Sequence, residues 1–317
     1  MSSNAEGMDR RSALAGRGLV TCWLLFLLAA CDTTPSNPRT DDNPTSGHVV
    51  VLVDEGLKPV FEDLESIFEH FYKDADLDLR YLPEGGILTA MQHDSVRLVF
   101  ATFAPGADQD AYLRSKQITP HIETVATDAV AVIANKTVTE SRIGVSEIRA
   151  QLTTGVPAEP WSGYRLLFDR NGSGVARTVI DSLLGGDASL MKAQVFSTNG
   201  IDSLVAQVAR NPNTLGFIPF AAIADKDNAH SRHLLEQVKV LAVGRDTSHA
   251  VLPSQTTLAD GTYPLCRPVV MLVLEPKAGL GTGFASFVAG HKGQRIILKR
   301  GLAPAHIPSR EIEVVLE

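Results

Sequence analysis

The sequence is poor in the residues that most metal-dependent, cross-linked or nucleic-acid-binding sites require. It has 317 residues but three cysteines, and aromatic residues make up 6% of it. No Cys-x-x-Cys or His-x-x-x-His pair stands out as a ligand set for a metal such as zinc. Lys and Arg form no block, which argues against nucleic acid as a partner. The composition therefore predicts no metal, no cofactor and no nucleic-acid partner, and it disfavours an enzyme.

Long apolar runs are also scarce, and the most prominent one lies near the amino terminus. Leu19–Ala30 follows Arg10, Arg11 and Arg17, and it is too short to span a bilayer but typical of a secretory signal peptide. The run ends at Cys31, a pattern that resembles the bacterial lipoprotein signal, in which this cysteine is acylated. The alternative is an ordinary signal peptide with an incidental cysteine. We predict a signal peptide over 1–31 and a lipid anchor at Cys31, which would hold the protein to a membrane on the periplasmic side of the cell envelope.

The segment 32–47 is rich in Pro, Ser, Thr, Asn and Asp and is predicted to be a disordered tether. Loss of the leader, with its three arginines and two acidic residues, changes the formal charge from −7 to −8. Cys22 would be lost with the leader and Cys31 would be lipidated. Cys266 then remains alone, so no disulfide can form within the mature chain.

The remainder of the chain alternates between apolar runs and amphipathic segments. Each apolar run ends on a polar or glycine-rich loop, as in a mostly parallel sheet with helices on both faces. Ligands of such sheets bind beyond the carboxyl ends of the strands. The predicted strands are Val49–Val53, Leu77–Leu82, Val96–Ala101, Leu215–Pro219, Val238–Val243 and Val269–Leu274. The predicted helices include one that starts at Pro59 and continues to Phe71, and the segments Ile87–Gln92, Asp108–Lys116, Val145–Thr153, Ile201–Ala209, Phe284–Val288 and Gly293–Arg300.

One strand-turn-helix segment, Tyr164–Leu184, has the pattern of an anion cradle. The apolar run Leu166–Phe168 breaks at Asp169–Gly174, and apolar residues then recur at helical spacing from Val175. Ser173 is a favoured N-cap residue, and the unpaired N–H groups that begin a helix attract anions. An ordinary capped helix that binds nothing is the alternative.

Several segments, in order along the chain, resemble the phosphate-binding lipoprotein of the bacterial phosphate ABC importer, a PstS-like type II periplasmic binding protein. The resemblance spans most of the mature chain. The matching segments are Thr127–Asn135, Gly172–Gly174, Asn213–Ile218, Tyr263–Pro268, Phe284–Val288 and Gly293–Ile297.

The resemblance implies an α/β fold of two lobes joined by two hinge crossings. Lobe 1 would comprise 48–126 and 263–317, and lobe 2 would comprise 127–262. Inorganic phosphate or a similar oxyanion would bind between the lobes and favour the closed state, because it contacts both. The protein would be a monomer that delivers its ligand to an ABC permease and ATPase complex.

The resemblance also implies which residues bind the ligand. The main cradle would be the turn made by Asn171, Gly172, Ser173, Gly174 and Val175.

Further ligand contacts would come from loops after the first strands and from an arginine near the turn. Asp54, Gly85 and Thr102 lie on those loops, and either Arg170 or Arg177 would supply positive charge.

The sequence departs from the family pattern at positions that concern the ligand. Val175 replaces a threonine, and Asp169 stands where the family has an arginine. The predicted cleft also contains Asp54, Glu55 and Glu84. One carboxylate can accept the proton of a phosphate and so reject sulfate, but several are harder to reconcile with an anion. For Asp54 and Glu55 we consider equally a ligand role and a role at the start of the following helix, pointing away from the cleft.

Two functions are compatible with these departures from the family pattern. The first is a lipid-anchored solute-binding protein for phosphate or a related oxyanion. The second is an envelope sensor or scaffold of the same fold that has lost phosphate transport. An enzyme is disfavoured because Ser173 lacks an identifiable histidine partner and the nucleophile-elbow spacing.

Overall fold

The fold comes from a computed structural model that describes residues 42–92, 96–154, 159–192 and 195–307. All of these residues belong to one unit, Pro38–Glu317. The predicted leader and Cys31 lie outside the described residues. No helix in the described part of the chain is both long and apolar enough to cross a bilayer.

The strands occur in groups between the helices. They are β1 (Gly47–Asp54), β2 (Ala75–Leu82), β3 (Leu98–Ala101), β4 (His121–Asn135), β5 (Arg142–Gly144), β6 (Arg165–Phe168), β7 (Val195–Ser197), β8 (Thr214–Pro219), β9 (Val238–Val240), β10 (Ala242–Gly244), β11 (Cys266–Val273) and β12 (Ala303–Pro304).

The helices alternate with these strands along most of the chain. They are α1 (Lys58–Phe71), α2 (Glu84–Ala90), α3 (Ala107–Ser115), α4 (Val145–Thr154), α5 (Gly174–Leu184), α6 (Ile201–Arg210), α7 (Ala229–Gln237), α8 (Gln255–Ala259), α9 (Leu280–Ala289) and α10 (His291–Lys299). A short 3-10 turn, Glu55–Leu57, follows β1.

A central sheet connects most strands in the order β2-β1-β3-β11-β4-β8-β6-β7. Parallel pairs lie at both ends: β1 with β2 and β3, and β6 with β7 and β8. The long strand β4 joins these two regions. Its first part pairs with β11 as far as Ala129, and its second part pairs with β8 from Val130 onward. The carboxyl ends of β1, β3 and β6 carry the loops that form the site described below.

Strand β4 can serve both regions because it is apolar and buried along its second half. The segment Ala129–Ala134 has no measurable exposure. A strand covered on both faces is expected to be continuously apolar rather than alternating.

The structure and the family comparison reported below confirm the predicted α/β class, and most predicted elements are present. Pro59 lies in the first turn of α1, as predicted, where its missing N–H removes no helical hydrogen bond. At the other end of the chain, α10 ends before Gly301, which has a φ of +86°.

Some predictions were wrong in detail. The predicted tether 32–47 ends earlier, because Asp42 accepts a hydrogen bond from the Leu280 N–H and pairs with Arg97, and Gly47 already belongs to β1. The predicted strand Val238–Val243 is divided at Leu241 into β9 and β10, which belong to different sheets.

Helix structure was also under-predicted at Glu84–Gly86, at α7 and at α8. The Glu84–Gly86 segment was expected to be a loop, but it forms the first turn of α2. Helix α7 was missed because its exposed sequence has weak apolar periodicity. Its start is marked by Asn228, whose side chain caps the N–H groups of His230 and Ser231.

Candidate ligand-binding site

The turn between β6 and α5 has the geometry of a capped helix start. Gly172 has a φ of +71°, a conformation that glycine adopts without strain. The Ser173 hydroxyl accepts from the Ala176 N–H at 3.3 Å and donates to Asp169 Oδ1 at 2.6 Å. The serine is therefore oriented by both the helix and a buried carboxylate.

A buried arginine faces this helix start from β11. The Arg267 guanidinium donates through Nε and Nη2 to Asp128 Oδ2, at 2.9 and 2.8 Å. Its Nη1 lies 3.3 Å from the Thr102 hydroxyl oxygen. Asp128 also accepts from the Ala221 N–H at 3.0 Å, so both of its oxygens are engaged.

Gly174 comes into close contact with this arginine and with the loops after β1 and β3. A Cβ at Gly174 would lie 2.9 Å from Asp54 Oδ2 and 3.1 Å from Arg267 Nη1, and it would overlap the Thr102 hydroxyl. Thr102 donates to Asp54 Oδ2 at 3.1 Å, and Asp54 Oδ1 accepts from the Gly56 N–H at 2.8 Å.

These groups form one buried assembly, which we call the central polar cluster. Its members are Asp54, Thr102, Asp128, Asp169, Ser173, Gly174 and Arg267.

The central polar cluster contains more carboxylates than cations. Burial raises the pKa of Asp128 and of Asp169 above the ordinary aspartate value, and Arg267 opposes the shift in both cases. The pKa of Arg267 is raised by the nearby carboxylates, chiefly Asp128, although burial acts in the opposite direction. The cluster therefore disfavours additional negative charge unless a proton accompanies it.

Two ion pairs flank the cluster, and we call them the rim pairs. Arg177 Nη1 lies 2.6 Å from Glu84 Oε1, and Arg170 Nε lies 3.0 Å from Glu55 Oε1 without hydrogen-bond geometry. Arg177 also lies over the Phe103 ring, 5.3 Å from its centroid. Burial raises the pKa of both Glu55 and Glu84, while the paired arginines lower it.

The structure brings four of the predicted site residues together: Asp54, Thr102, Ser173 and Gly174. The Gly85 N–H donates to the Gly172 carbonyl at 3.3 Å, so these two glycines join the loops next to the cluster.

The other predicted residues have different surroundings. Arg170 and Arg177 pair with carboxylates at the rim rather than with Ser173. Asn171 is exposed on the turn, and the side chain of Val175 is buried in the apolar core. Only the backbone N–H of Val175 is therefore available to a ligand.

Asp54 has the role at the following turn that was offered for it, although it does not point away from the cluster, and its ligand role stays a prediction. Its side chain caps the 3-10 turn Glu55–Leu57, and its other oxygen belongs to the central polar cluster.

Sequence reasoning missed the roles of Asp128 and Arg267. Each is a charged residue inside or beside an apolar strand, which is the signal that could have identified them. Their pairing follows from the β4–β11 register, in which the two residues are direct partners.

The described residues contain no group of three or more His, Cys, Asp and Glu side chains placed to hold a metal ion. Cys266 is partly buried, and burial raises the pKa of its thiol to about 11, so little thiolate forms near neutral pH.

The comparisons with known proteins agree with this architecture. The family model described as the PBP superfamily domain matches residues 38–292, and the chain belongs to this family. No curated protein matches the chain.

Solved structures with the same fold include several phosphate-binding proteins. A putative phosphate ABC transporter substrate-binding protein with bound phosphate from Clostridium perfringens is 16% identical, with a TM-score of 0.67 over 82% of this chain and 100% of that one. An ABC-type phosphate transport receptor from Vibrio cholerae is 13% identical, with a TM-score of 0.62 over 81% and 99%. A possible phosphate-binding protein from Planctomyces limnophilus is 19% identical, with a TM-score of 0.53 over 82% and 93%.

Proposed function

We propose that this protein is a lipid-anchored solute-binding protein of an ABC importer and that it binds phosphate or a related oxyanion. The observation that carries the proposal is the convergence at Gly174 of a helix start, two hydroxyl groups and a buried guanidinium. The helix start and the guanidinium carry N–H donors suited to an oxyanion. The Ser173 and Thr102 hydroxyl groups donate to Asp169 and Asp54 in this structure and would turn to the anion when it binds. The similar solved structures described as phosphate-binding support the same assignment.

The carboxylates of the central polar cluster restrict the ligand to one that brings protons. At about 4 Å and an effective dielectric constant of about 20, two like charges repel by roughly 4 kcal/mol. A protonated phosphate can donate its hydrogens to Asp54 or Asp169, which converts this repulsion into a hydrogen bond. Sulfate has no proton to donate near neutral pH. We therefore expect the site to prefer phosphate.

Binding would involve both lobes of the proposed two-lobed arrangement. Asp54, Thr102 and Arg267 belong to segments 48–126 and 263–317, and Ser173 and Gly174 belong to 127–262. A ligand that contacts both sets would favour closure, and the closed form would deliver it to the permease and ATPase.

Calorimetry with phosphate and sulfate at about pH 5.5 and about pH 8 tests this proposal. We expect phosphate to bind at both pH values and sulfate to bind only weakly at the higher one. Because burial raises the pKa of Asp169, this group protonates as the pH falls, and sulfate affinity should then increase. Sulfate has the same charge at both pH values, so its pH dependence reports the protein alone.

Asp169→Asn is the matched variant for that experiment. Its amide oxygen can still accept from Ser173, while the negative charge is lost, so sulfate should bind more tightly at pH 8. If neither phosphate nor sulfate binds under any condition, the proposal fails.

The second candidate, an envelope sensor or scaffold, is favoured by one specific observation. The rim pairs, the hydrogen bond from Gly85 to Gly172 and the close approach of Gly174 to Arg267 join the two sets of segments through protein groups alone. A chain held closed in this way would not need an anion to close. The comparisons favour the first candidate, and the scattering experiment below separates the two.

The lipid anchor and the envelope location are proposed from the Cys31 pattern. A Cys31→Ser variant should leave the membrane fraction after cell lysis, because without lipidation nothing else in the proposal holds it there. Retention of the variant in the membrane would contradict the anchor.

A further inference from the structure

A pocket, which we call the lateral pocket, adjoins the central polar cluster, and Gly172 and Ser173 of the predicted cradle line part of it. Its volume is about 690 Å³, within the roughly 300–1,000 Å³ typical of small-molecule sites. Ala176, Val179 and Ile180 form one wall, on the face of α5 turned away from Gly174. This apolar wall therefore extends away from Gly174, while Ser173 and Arg177 of the predicted oxyanion site line the same pocket.

Most of the lateral pocket is apolar. Leu88 of α2, Leu152 of α4, and Met191, Val195 and Phe196 contribute to its walls. Phe196 is 40% exposed, an uncommon exposure for a large apolar side chain. A ligand with an apolar body would bury these surfaces and gain free energy from doing so.

One polar group in the wall lacks a partner. Glu84 is 6% exposed, and its Oε1 accepts from Arg177 Nη1 at 2.6 Å. Its Oε2 is buried and has no hydrogen-bond partner within the described part of the chain. Buried carboxylate oxygens are normally satisfied, so this atom is suited to accept from a ligand.

The charge around Glu84 favours a cationic donor. Arg177 is shared between two carboxylates, Glu84 at 2.6 Å and Asp181 at 3.3 Å, so this group carries excess negative charge. Arg170, also in the wall, is paired with Glu55.

We propose that the lateral pocket binds a small organic amine whose ammonium group donates to Glu84 Oε2 and whose apolar body lies between α2 and α5. This inference goes beyond the proposed oxyanion function, because it concerns a cationic ligand at the Glu84 end of a pocket that the predicted cradle also lines. A bound amine would contact Leu88 on one side and Ile180 on the other, and so would hold α2 against α5.

A matched series of probes tests the inference: n-hexylamine, 1-hexanol and hexanoate. These share an apolar body and differ in the charge of the head group. Each is titrated by calorimetry into the chain from Pro38 onward, the unit that contains every described element. We expect saturable binding of hexylamine, weaker binding of hexanol, and affinity for hexanoate lower than for hexylamine by about tenfold or more.

Two variants separate the head group from the body. Glu84→Gln should weaken hexylamine binding by about fivefold or more and leave hexanol unchanged, since only the charged partner is lost. Glu62→Gln, which removes an exposed carboxylate of α1, is the charge control and should change neither. Ala176→Phe should abolish binding of all three probes by filling the pocket, and Leu88→Trp fills it from the opposite wall if the first variant does not fold.

The inference is overturned if hexylamine binding does not saturate, if hexanoate binds as well as hexylamine, or if binding survives a pocket-filling variant that is folded by circular dichroism. Phosphate is titrated separately into the unsubstituted protein, so failure of the amine site and failure of the oxyanion site are observed independently.

Discussion

Gly174 lies where the central polar cluster leaves no space for a side chain. Its lack of a side chain lets the start of α5 approach Asp54, Thr102 and Arg267. At this position glycine is required for space, since Gly174 begins a regular helix and does not have a positive φ.

Gly174→Ala should weaken phosphate binding by about tenfold or more, because the added methyl group displaces the donors that face the ligand. Calorimetry measures the effect. Gly86→Ala is the control, because Gly86 is not a predicted site residue and a Cβ there would meet only the Leu82 and Pro83 side chains at 3.4 to 3.6 Å, which are ordinary contacts. Equal losses in the two variants would mean that the Gly174 approach is not specific to the site.

Arg267 and Asp128 form the buried ion pair of the central polar cluster, with side chains 1% and 0% exposed. Arg267→Met should lower the free energy of unfolding by about 3–5 kcal/mol, since it leaves Asp128 charged and unpaired. Urea unfolding measures the loss. The double variant Asp128→Asn, Arg267→Met removes the remaining charge and should recover much of the stability, because an asparagine oxygen can still accept from the Ala221 N–H. Equal stability of the single and double variants would contradict this account.

Helices α2 and α5 are joined by one of the rim pairs, Arg177 with Glu84. Glu84 lies in the first turn of α2, and Arg177 lies one turn after Ser173 in α5, so each residue is presented by a regular helix. The Gly85–Gly172 backbone hydrogen bond and the Arg177–Phe103 contact act in the same region. The contact between α2 and α5 therefore includes a charge interaction of the buried Glu84 carboxylate with Arg177.

Arg177→Gln should lower the local stability of α2, and the loss of stability should be larger at high pH. Burial raises the pKa of Glu84, and loss of Arg177 removes the group that opposes this shift, so the folded-state pKa rises further. Below the pKa of the unfolded state, the Glu84 carboxyl group is neutral in both the folded and the unfolded chain. The stability of the folded state is lost as the pH rises through the folded-state pKa. Hydrogen exchange of Glu84–Ala90 should thus be faster than in the unsubstituted protein by a larger factor at pH 8 than at pH 5.

Two further variants check that reading. The double variant Glu84→Gln, Arg177→Gln should lose the extra pH dependence, because no ionisable group remains. Arg80→Gln, which breaks the exposed pair with Asp78, should change little, since exposed pairs contribute roughly 0–1 kcal/mol. A pH-independent effect of Arg177→Gln would show that Glu84 does not act through its charge.

At the scale of the whole molecule, the question is whether closure requires an anion. Strands β4 and β11 are neighbours near the middle of the sheet, and they carry Asp128 and Arg267 of the central polar cluster. For a ligand to drive closure, it must bind the closed form more tightly than the open one.

Small-angle scattering should show a decrease in the radius of gyration when phosphate is added, if the protein is a transport receptor. The sensor or scaffold would instead be supported if phosphate leaves the radius of gyration unchanged and only the double variant Arg170→Gln, Arg177→Gln has a larger radius. The rim pairs would then be the main interaction that keeps the protein closed.

Local patterns were enough to predict the α/β class and the start of α5. The apolar run Leu166–Phe168, the glycines at 172 and 174 and the N-cap Ser173 each act over a few residues, so a strand, turn and capped helix follow from sequence. The same is true of α1, where Pro59 precedes a one-sided apolar pattern.

The central polar cluster and its charge balance were decided by tertiary structure. Arg267 and Asp128 are 139 residues apart, and Arg177 and Glu84 are 93 apart. Sequence patterns report neighbours within a turn or a strand, whereas these pairs depend on strand register and on how two helices meet across the sheet. The sequence therefore determined the helices and strands and the type of hydrogen-bond donor at the start of α5. Only the tertiary structure decided that Arg267 is the buried cation and that Arg170 and Arg177 pair with carboxylates at the rim.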